Sequence, residues 1–301
     1  MVSRGPDTAF GDHSFALCLT HDVDRPYKTI QAPYQALRQR DLHHISQLFS
    51  AESPYWCFED IMQIESGFDV RSSFYFLEEQ RLSELPLYRW IRPRNWLRFT
   101  GYYQLDDPDI SAMMRTLDDG GWEVGIHGSY ESVDNSARFR HEKATIEQQL
   151  EQSILGGRQH FLNLDRPATW RMHRDCGLLY DASLGSSTEY GFHHGYDVKR
   201  PFDDHFLVFP LTLMEVALMQ HNDSLADAMR AIDRLVEEAA RNGAIMTVLW
   251  HVRLFNEEEF PGYRRLYKYL LRKAREENAW IGSIREAYNA IRTESGPHAH
   301  R

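Results

Sequence analysis

The sequence predicts a single α/β domain in which seven or eight βα units close into a distorted barrel with long insertions at its rim. Three observations predict it. Strand-like runs alternate with helix-like runs along almost the whole chain, with no repeat and no low-complexity linker. Several of the strand-like runs are apolar without clean alternation, as strands buried on both faces of a parallel sheet are. Four of them finish in polar residues that a barrel would gather at one mouth.

The strand-like runs are FALCLT (15–20), RSSFYFL (71–77), WEVGIH (122–127), RQHFL (158–162), LLYDASL (178–184), HFLVFP (205–210), AIMTVLWH (244–251) and AWIGSI (279–284). The helices between them carry end signals. One starts at Asp107 as N-cap with Pro108 in the first helical position, buries Ile110, Met113, Met114 and Leu117, and stops at Gly120-Gly121. Another starts at Ser224 with Asp227 three residues on, carries an apolar stripe from Leu225 to Ala239, and stops at Gly243. HEKATIEQQLEQSI and GYRRLYKYLLRKAREENA read similarly. The barrel is expected over residues 15–293, after an N-terminal extension (1–14) and before a flexible tail (294–301). Two connections, 26–70 and 78–106, are long. Both follow strands, so both belong over the C-terminal rim, the active-site face of such barrels.

The bulk numbers exclude several functions. The chain has 301 residues and a formal net charge of -10, which argues against a nucleic-acid partner. Cys18, Cys57 and Cys176 form no CxxC and no disulfide framework, which fits a reducing, cytoplasmic setting; Cys18 and Cys176 read as buried thiols. The N-terminus has no apolar signal-peptide core, and no run is long enough to span a membrane. Fifteen histidines are scattered, including His193 and His194 in a loop and two in the tail. The sequence leaves the oligomeric state open.

The strand ends carry the chemistry. In LCLTHDVDRP (17–26), Asp22 and Asp24 lie on one side of an extended chain, with His21 and Val23 on the other, toward the helix layer. Two inward carboxylates so close need a cation between them or a shared proton. GIHGSYES supplies His127 and, four residues on, Glu131; GGRQHFLN supplies Arg158 and His160 on one face; TVLWHVR supplies His251. Singly each is weak, since a lone strand-end histidine is more often structural. Converging at a barrel mouth, Asp, His and a third N/O donor can bind a divalent metal with a position left open.

In these motifs the chain resembles the polysaccharide deacetylases, carbohydrate esterase family 4 with the NodB-homology domain, in a branch whose first motif reads HDVD; the resemblance runs from about residue 15 to 285. It implies a glycoside hydrolase/deacetylase-type (β/α)7-8 barrel and a hydrolase acting on non-peptide carbon–nitrogen bonds. The implied reaction is metal-dependent removal of N-acetyl (or O-acetyl) groups from a carbohydrate, with zinc as the usual ion. By motif, Asp22 is the implied catalytic base, Arg158 its orienting partner and His251 the general acid, with Asp181 matching loosely as the buttress of that acid. Asp24 and His127 are implied metal ligands. The family's second motif normally supplies a second histidine where Glu131 stands, and its third supplies proline where His160 stands. His160 is therefore favoured over Glu131 as third ligand. Tyr130, Phe161 and Trp250 flank these motifs as implied substrate contacts, and Phe161 is the implied source of an oxyanion-binding N–H. Two other readings stand beside this one: an allantoinase-like hydrolase of amides or cyclic ureides on the same scaffold, possible without metal, and a non-catalytic glycan-binding relative.

Overall fold

The protein, here as a computed structural model, is described over residues 9–29, 53–79, 83, 86–92 and 102–294. Most of the N-terminal extension, residues 30–52 with their His43-His44 pair, part of the Arg- and Trp-rich connection (93–101) and the tail lie outside the described residues.

The strands are β1 (Phe15–Val23), β2 (Ser73–Leu77), β3 (Glu123–Gly128), β4 (Gly156–Gln159), β5 (Tyr180–Asp181), β6 (Leu207–Val208), β7 (Leu211–Met214), β8 (Ile245–Leu249) and β9 (Ala279–Gly282). The helices are α1 (Phe58–Gly67), the short α2 (Leu87–Trp90), α3 (Pro108–Asp119), α4 (Ser136–Leu150), α5 (Ala168–Asp175), α6 (Glu215–Gln220), α7 (Leu225–Asn242), α8 (Tyr263–Glu276) and α9 (Ile284–Glu294). Every ladder between strands is parallel, and the order β6-β5-β4-β3-β2-β1-β8-β7 curls into an incomplete barrel. β1 is the hinge of this arrangement. One edge pairs with β8 over Ala16–Thr20, while the other pairs with β9 over Phe15–Cys18 and then with β2 over Thr20–Val23.

All eight expected strands are present, with corrected bounds. Those expected at 178–184 and 205–210 shrink to two residues each, and the one expected at 158–162 ends at Gln159, where a 3₁₀ turn (His160–Leu162) begins. β7, only two residues beyond β6, was not expected. The capped helices fall where their end signals lie: the Asp107 side chain accepts from the Asp109 N–H, and that of Ser224 from the Asp227 N–H.

Period two sorts β1 between two cores. Phe15, Leu17, Leu19 and Val23 pack into the larger apolar cluster, shared with the helices, while Ala16 and Cys18 belong to a smaller cluster inside the barrel. That interior is filled by Tyr75 and Tyr180, whose hydroxyls are 3.1 Å apart, with Tyr180 donating to Glu123 at 2.7 Å. Glycines make room for these rings. A Cβ on Gly156 would fall inside the Tyr180 ring, and one on Gly125 would meet Tyr75 and the Gly156 carbonyl. α9 closes the floor through Ile284, Ala287, Tyr288 and Ile291. Cys18 is buried as expected; Cys176 is half-buried rather than buried, because it follows the last turn of α5 at the surface.

Glu142 on α4 is buried and accepts from the Ser129 N–H and hydroxyl at the end of β3, beside Arg138. Burial dominates over these partners and pushes its carboxyl up to about 7. The folded state therefore holds a proton that the unfolded chain releases near pH 4.3. The stability from Glu142 is complete below that value and is lost as pH rises through about 7, on the order of 3–4 kcal/mol. Glu142→Gln should thus gain thermal stability relative to wild type between pH 5 and pH 8. Parallel melting curves for the two proteins across that range would refute the assignment.

Candidate metal and catalytic centre

Asp22 and Asp24 face the barrel mouth because β1 turns His21 and Val23 outward. His21 reaches the helix layer as expected, its Nε2 2.9 Å from Glu65 Oε1 on α1 and 3.2 Å from the Tyr267 hydroxyl on α8, with Nδ1 2.7 Å from the Trp250 carbonyl. The register sets the other side chains level with the aspartates: Asp22 pairs with Tyr75, Leu77 with His127, and His127 with Arg158.

Asp22 is locked by Arg158. The Arg158 Nη1 donates to Asp22 Oδ1 at 2.7 Å and its Nε to the Ala182 carbonyl at 2.9 Å, and the guanidinium lies over the Tyr75 ring, 5.2 Å from its centre. Asp22, Arg158 and His127 are all buried.

The histidines share one design. The His127 Nδ1 lies 2.9 Å from the Arg158 carbonyl, which can only accept, so Nδ1 carries a proton and, in the neutral ring, Nε2 keeps a lone pair. The His160 Nδ1 lies 2.8 Å from Glu79 Oε2, which fixes its ring in the same way. Both Nε2 atoms turn to Asp24 Oδ1, at 3.2 Å and 4.0 Å. That oxygen is buried without a hydrogen-bond partner. Asp24, His127 and His160 each bring one donor atom within 4.8 Å of the others. Two metal–ligand bonds of about 2.0–2.2 Å reach the 3.2 Å and 4.0 Å separations from Asp24 Oδ1, and carboxylate plus two imidazoles is a normal donor set for zinc. An orphaned oxygen between two lone-pair nitrogens fits a divalent cation, and the acceptors on both Nδ1 atoms are the outer partners such a site needs.

His251 stands opposite, two residues past β8. Its Nδ1 and backbone N–H both bond Glu215 Oε1, and its Nε2 lies 3.5 Å from Asp24 Oδ2. Burial pushes both aspartates up and both His127 and His251 down, but in each case the opposite charges win. Arg158 with His127 holds Asp22 below the usual carboxylate range, and the imidazoles of His127, His251 and His160 hold Asp24 well below it. Asp22 raises His127, and Glu215 raises His251. The groups surround a cavity of about 130 Å³ lined also by Phe161, Leu162, Ser187, Met214 and Arg253.

The structure brings Asp22, Asp24, His127, Arg158, His160, His251 and Phe161 together and moves four expected residues elsewhere. Glu131 sits in the 3₁₀ turn after β3, and its Oε1 accepts from Arg89 of α2 at 3.0 Å, away from the Asp24 cluster. Asp181 does not buttress His251. Tyr180 fills the barrel interior, so its neighbour faces the helix layer and bonds Trp170, His173 and Ser183. Trp250 is fully buried against Tyr267, because it alternates with the inward His251. Tyr130 stands beside Phe161, ring centres 6.0 Å apart, without lining the cavity. Phe161 is 59 % exposed and stacks on His160 at 4.1 Å, with φ 57 followed by Leu162 at φ 53, two left-handed bulky residues in a row. His193 and His194 lie in a loop outside the cavity lining. Sequence reasoning missed Glu79, Glu215 and Arg253. The signals were Glu79 two residues past β2, Glu215 directly after LTLM, and Arg253 on the parity of His251.

The described parts of both long connections do reach this rim. The Tyr103 hydroxyl joins the Val23 carbonyl and the Leu77 N–H, each at 2.7 Å, and Tyr102 meets His160 edge-on at 5.8 Å. Lys28 and Tyr55 of the first connection both bond Glu259. Among the described residues, no helix is long and apolar enough to cross a membrane.

No protein-family profile matches the chain, and no curated protein matches it. Solved structures do. Proteins from Mycobacterium smegmatis and Pseudomonas aeruginosa PAO1, both named as polysaccharide deacetylases, each superpose with a TM-score of 0.60. The first is 15 % identical over 97 % of this chain and 93 % of its own, the second 13 % identical over 98 % and 96 %. A CE4 family pseudoenzyme from Bacillus anthracis is more distant, at TM-score 0.43 and 14 % identity over 91 % of this chain and 65 % of its own.

Proposed function

We propose that this chain, which has the polysaccharide deacetylase fold, is a metal-dependent hydrolase that removes an N-acetyl group from a sugar. One observation carries the reading: Asp24 Oδ1, buried and unpartnered, lies between two imidazoles whose Nε2 atoms keep their lone pairs, in the same cavity as a guanidinium-locked Asp22. Asp24, His127 and His160 would hold the ion, which when bound would polarise the acetyl carbonyl and acidify water.

The chain's own residues then divide the work. Asp22, kept ionised by Arg158, accepts the proton of the attacking water. His251, held at Nδ1 by Glu215, turns Nε2 to the cavity and delivers a proton to the departing nitrogen. The Phe161 N–H is assigned to the developing oxyanion. The cavity, about 130 Å³, has room for an acetyl group and a water beside Asp22 and His251.

Zinc-loaded protein should release acetate from N-acetylglucosamine oligomers, and Glu215→Ala should lower kcat on the order of 10- to 100-fold by freeing the His251 ring. Stoichiometric zinc with no acetate released from N-acetylated sugars would reject the proposal.

A further inference from the structure

Among the described residues, Arg253 is the one residue of the cavity wall whose charge the proposed reaction leaves unassigned. It sits two residues past His251, is 26 % exposed, and places Nη1 3.3 Å from Asp24 Oδ2. Among the described residues, Asp24 is its only acidic partner within salt-bridge distance. The neighbouring cations are committed differently: Arg158 to Asp22 and the Ala182 carbonyl, Lys28 to Glu259, and Arg25 to the ring and hydroxyl of Tyr102.

Asp24 Oδ2 can keep Arg253 while Oδ1 serves an ion, but one carboxylate charge cannot balance a guanidinium and a divalent cation together. If its carboxylate serves an ion between His127 and His160, the Arg253 guanidinium loses most of its compensating charge while still facing the cavity. The other residues at the outer wall, Phe161, Leu162, Ser187 and Met214, are uncharged. A partly buried guanidinium without a counter-charge is costly, and its planar fork matches a carboxylate or a phosphate. Arg253 lines the same cavity as Asp22, Asp24 and His251, so a group next to the scissile amide comes within its reach.

We propose that Arg253 is a specificity residue and that the substrate is an N-acylated sugar carrying an anionic group, carboxylate or phosphate, near the scissile amide. The inference rests on the deacetylase reading above and names the substrate class of that site.

The test uses zinc-saturated wild type, Arg253→Met and Arg253→Lys, with metal content measured for each. kcat/KM is compared for N-acetylglucosamine, N-acetylglucosamine 6-phosphate and N-acetylmuramic acid. Calorimetry compares glucosamine with glucosamine 6-phosphate. A charge-assisted hydrogen bond predicts that wild type favours an anionic sugar on the order of 10- to 100-fold. The phosphate and lactyl arms tell which anion it is. Arg253→Met should bring the anionic-to-neutral ratio close to unity, and Arg253→Lys should restore part of it, an effect that a merely structural role would not produce. A wild-type ratio at or below unity, or a ratio that survives Arg253→Met, overturns the proposal. If no sugar is turned over, the deacetylase reading is what fails. The calorimetry then decides Arg253 alone: tighter binding of the phosphate that Arg253→Met abolishes upholds its role, and equal affinities overturn it.

Discussion

Asp22→Asn should lower kcat by about three orders of magnitude while leaving zinc bound. Loss of a positioned general base typically removes 10²–10⁴-fold. The middle of that range is expected here because, among the described residues, the groups that bond Asp22 contain no substitute carboxylate. Arg158 is a cation, and Asp24 is engaged by His127, His251 and Arg253. The amide retains the carbonyl oxygen that accepts from Arg158 at 2.7 Å, so the side chain keeps its place. It cannot take a proton. The substitution also leaves the buried Arg158 guanidinium without a counter-charge, and its Nη2 has no hydrogen-bond partner even in the wild type. Breaking a buried pair costs about 3–5 kcal/mol, toward which Asn contributes part of the hydrogen bonding. A lower melting temperature is therefore expected alongside the lost turnover. Measuring zinc content and circular dichroism on the same preparation separates the two effects. Turnover within tenfold of wild type, with the fold and the ion intact, would remove Asp22 as the base.

How much of this was legible in the sequence depends on which rule each residue obeys. Period two in β1 sends Asp22 and Asp24 inward and His21 outward, and the structure follows it. The same rule, applied beside His251, places Trp250 in the helix layer, and applied beside Tyr180 it turns Asp181 away from the mouth. At both positions the strand's alternation, not the motif, sets the side chain's direction. His160 reached the mouth by a route that periodicity does not describe. β4 ends at Gln159, and a turn with two left-handed residues swings the imidazole over to Glu79. Glu215 was hidden because β7 is only four residues long and follows β6 after Phe209 and Pro210, so the run reads as one strand ending at the proline. Glu79 opens the second long connection, and only tertiary contact with His160 marks it as part of the site. Residues whose orientation is set by their own strand were readable; those set by a partner distant in the chain were not.

His160→Ala should lose zinc, and Glu131→Ala should not. The sequence left these two as alternatives for the third ligand, and their surroundings now differ in kind. His160 is buried, its ring fixed by Glu79 and flanked by Phe161 and Tyr102, with Nε2 directed at the orphaned Asp24 oxygen. The Glu131 side chain is 33 % exposed and its carboxylate engages Arg89. Drawing it onto an ion would break that pair and require the turn after β3 to refold. Loss of an outer partner typically weakens a metal site 10–100-fold, and loss of a ligand should exceed this. Zinc titration should therefore rank the variants: Glu131→Ala near wild type, Glu79→Gln weakened by one or two orders of magnitude, and His160→Ala weaker still. The Glu79 variant is the sharpest arm of the test. That residue touches the proposed ion only through the His160 ring, so its effect should vanish in the His160→Ala background. Equal zinc affinity in wild type and His160→Ala, or loss of zinc in Glu131→Ala, would return the third position to Glu131 and leave the His160–Glu79 pair as packing under the rim.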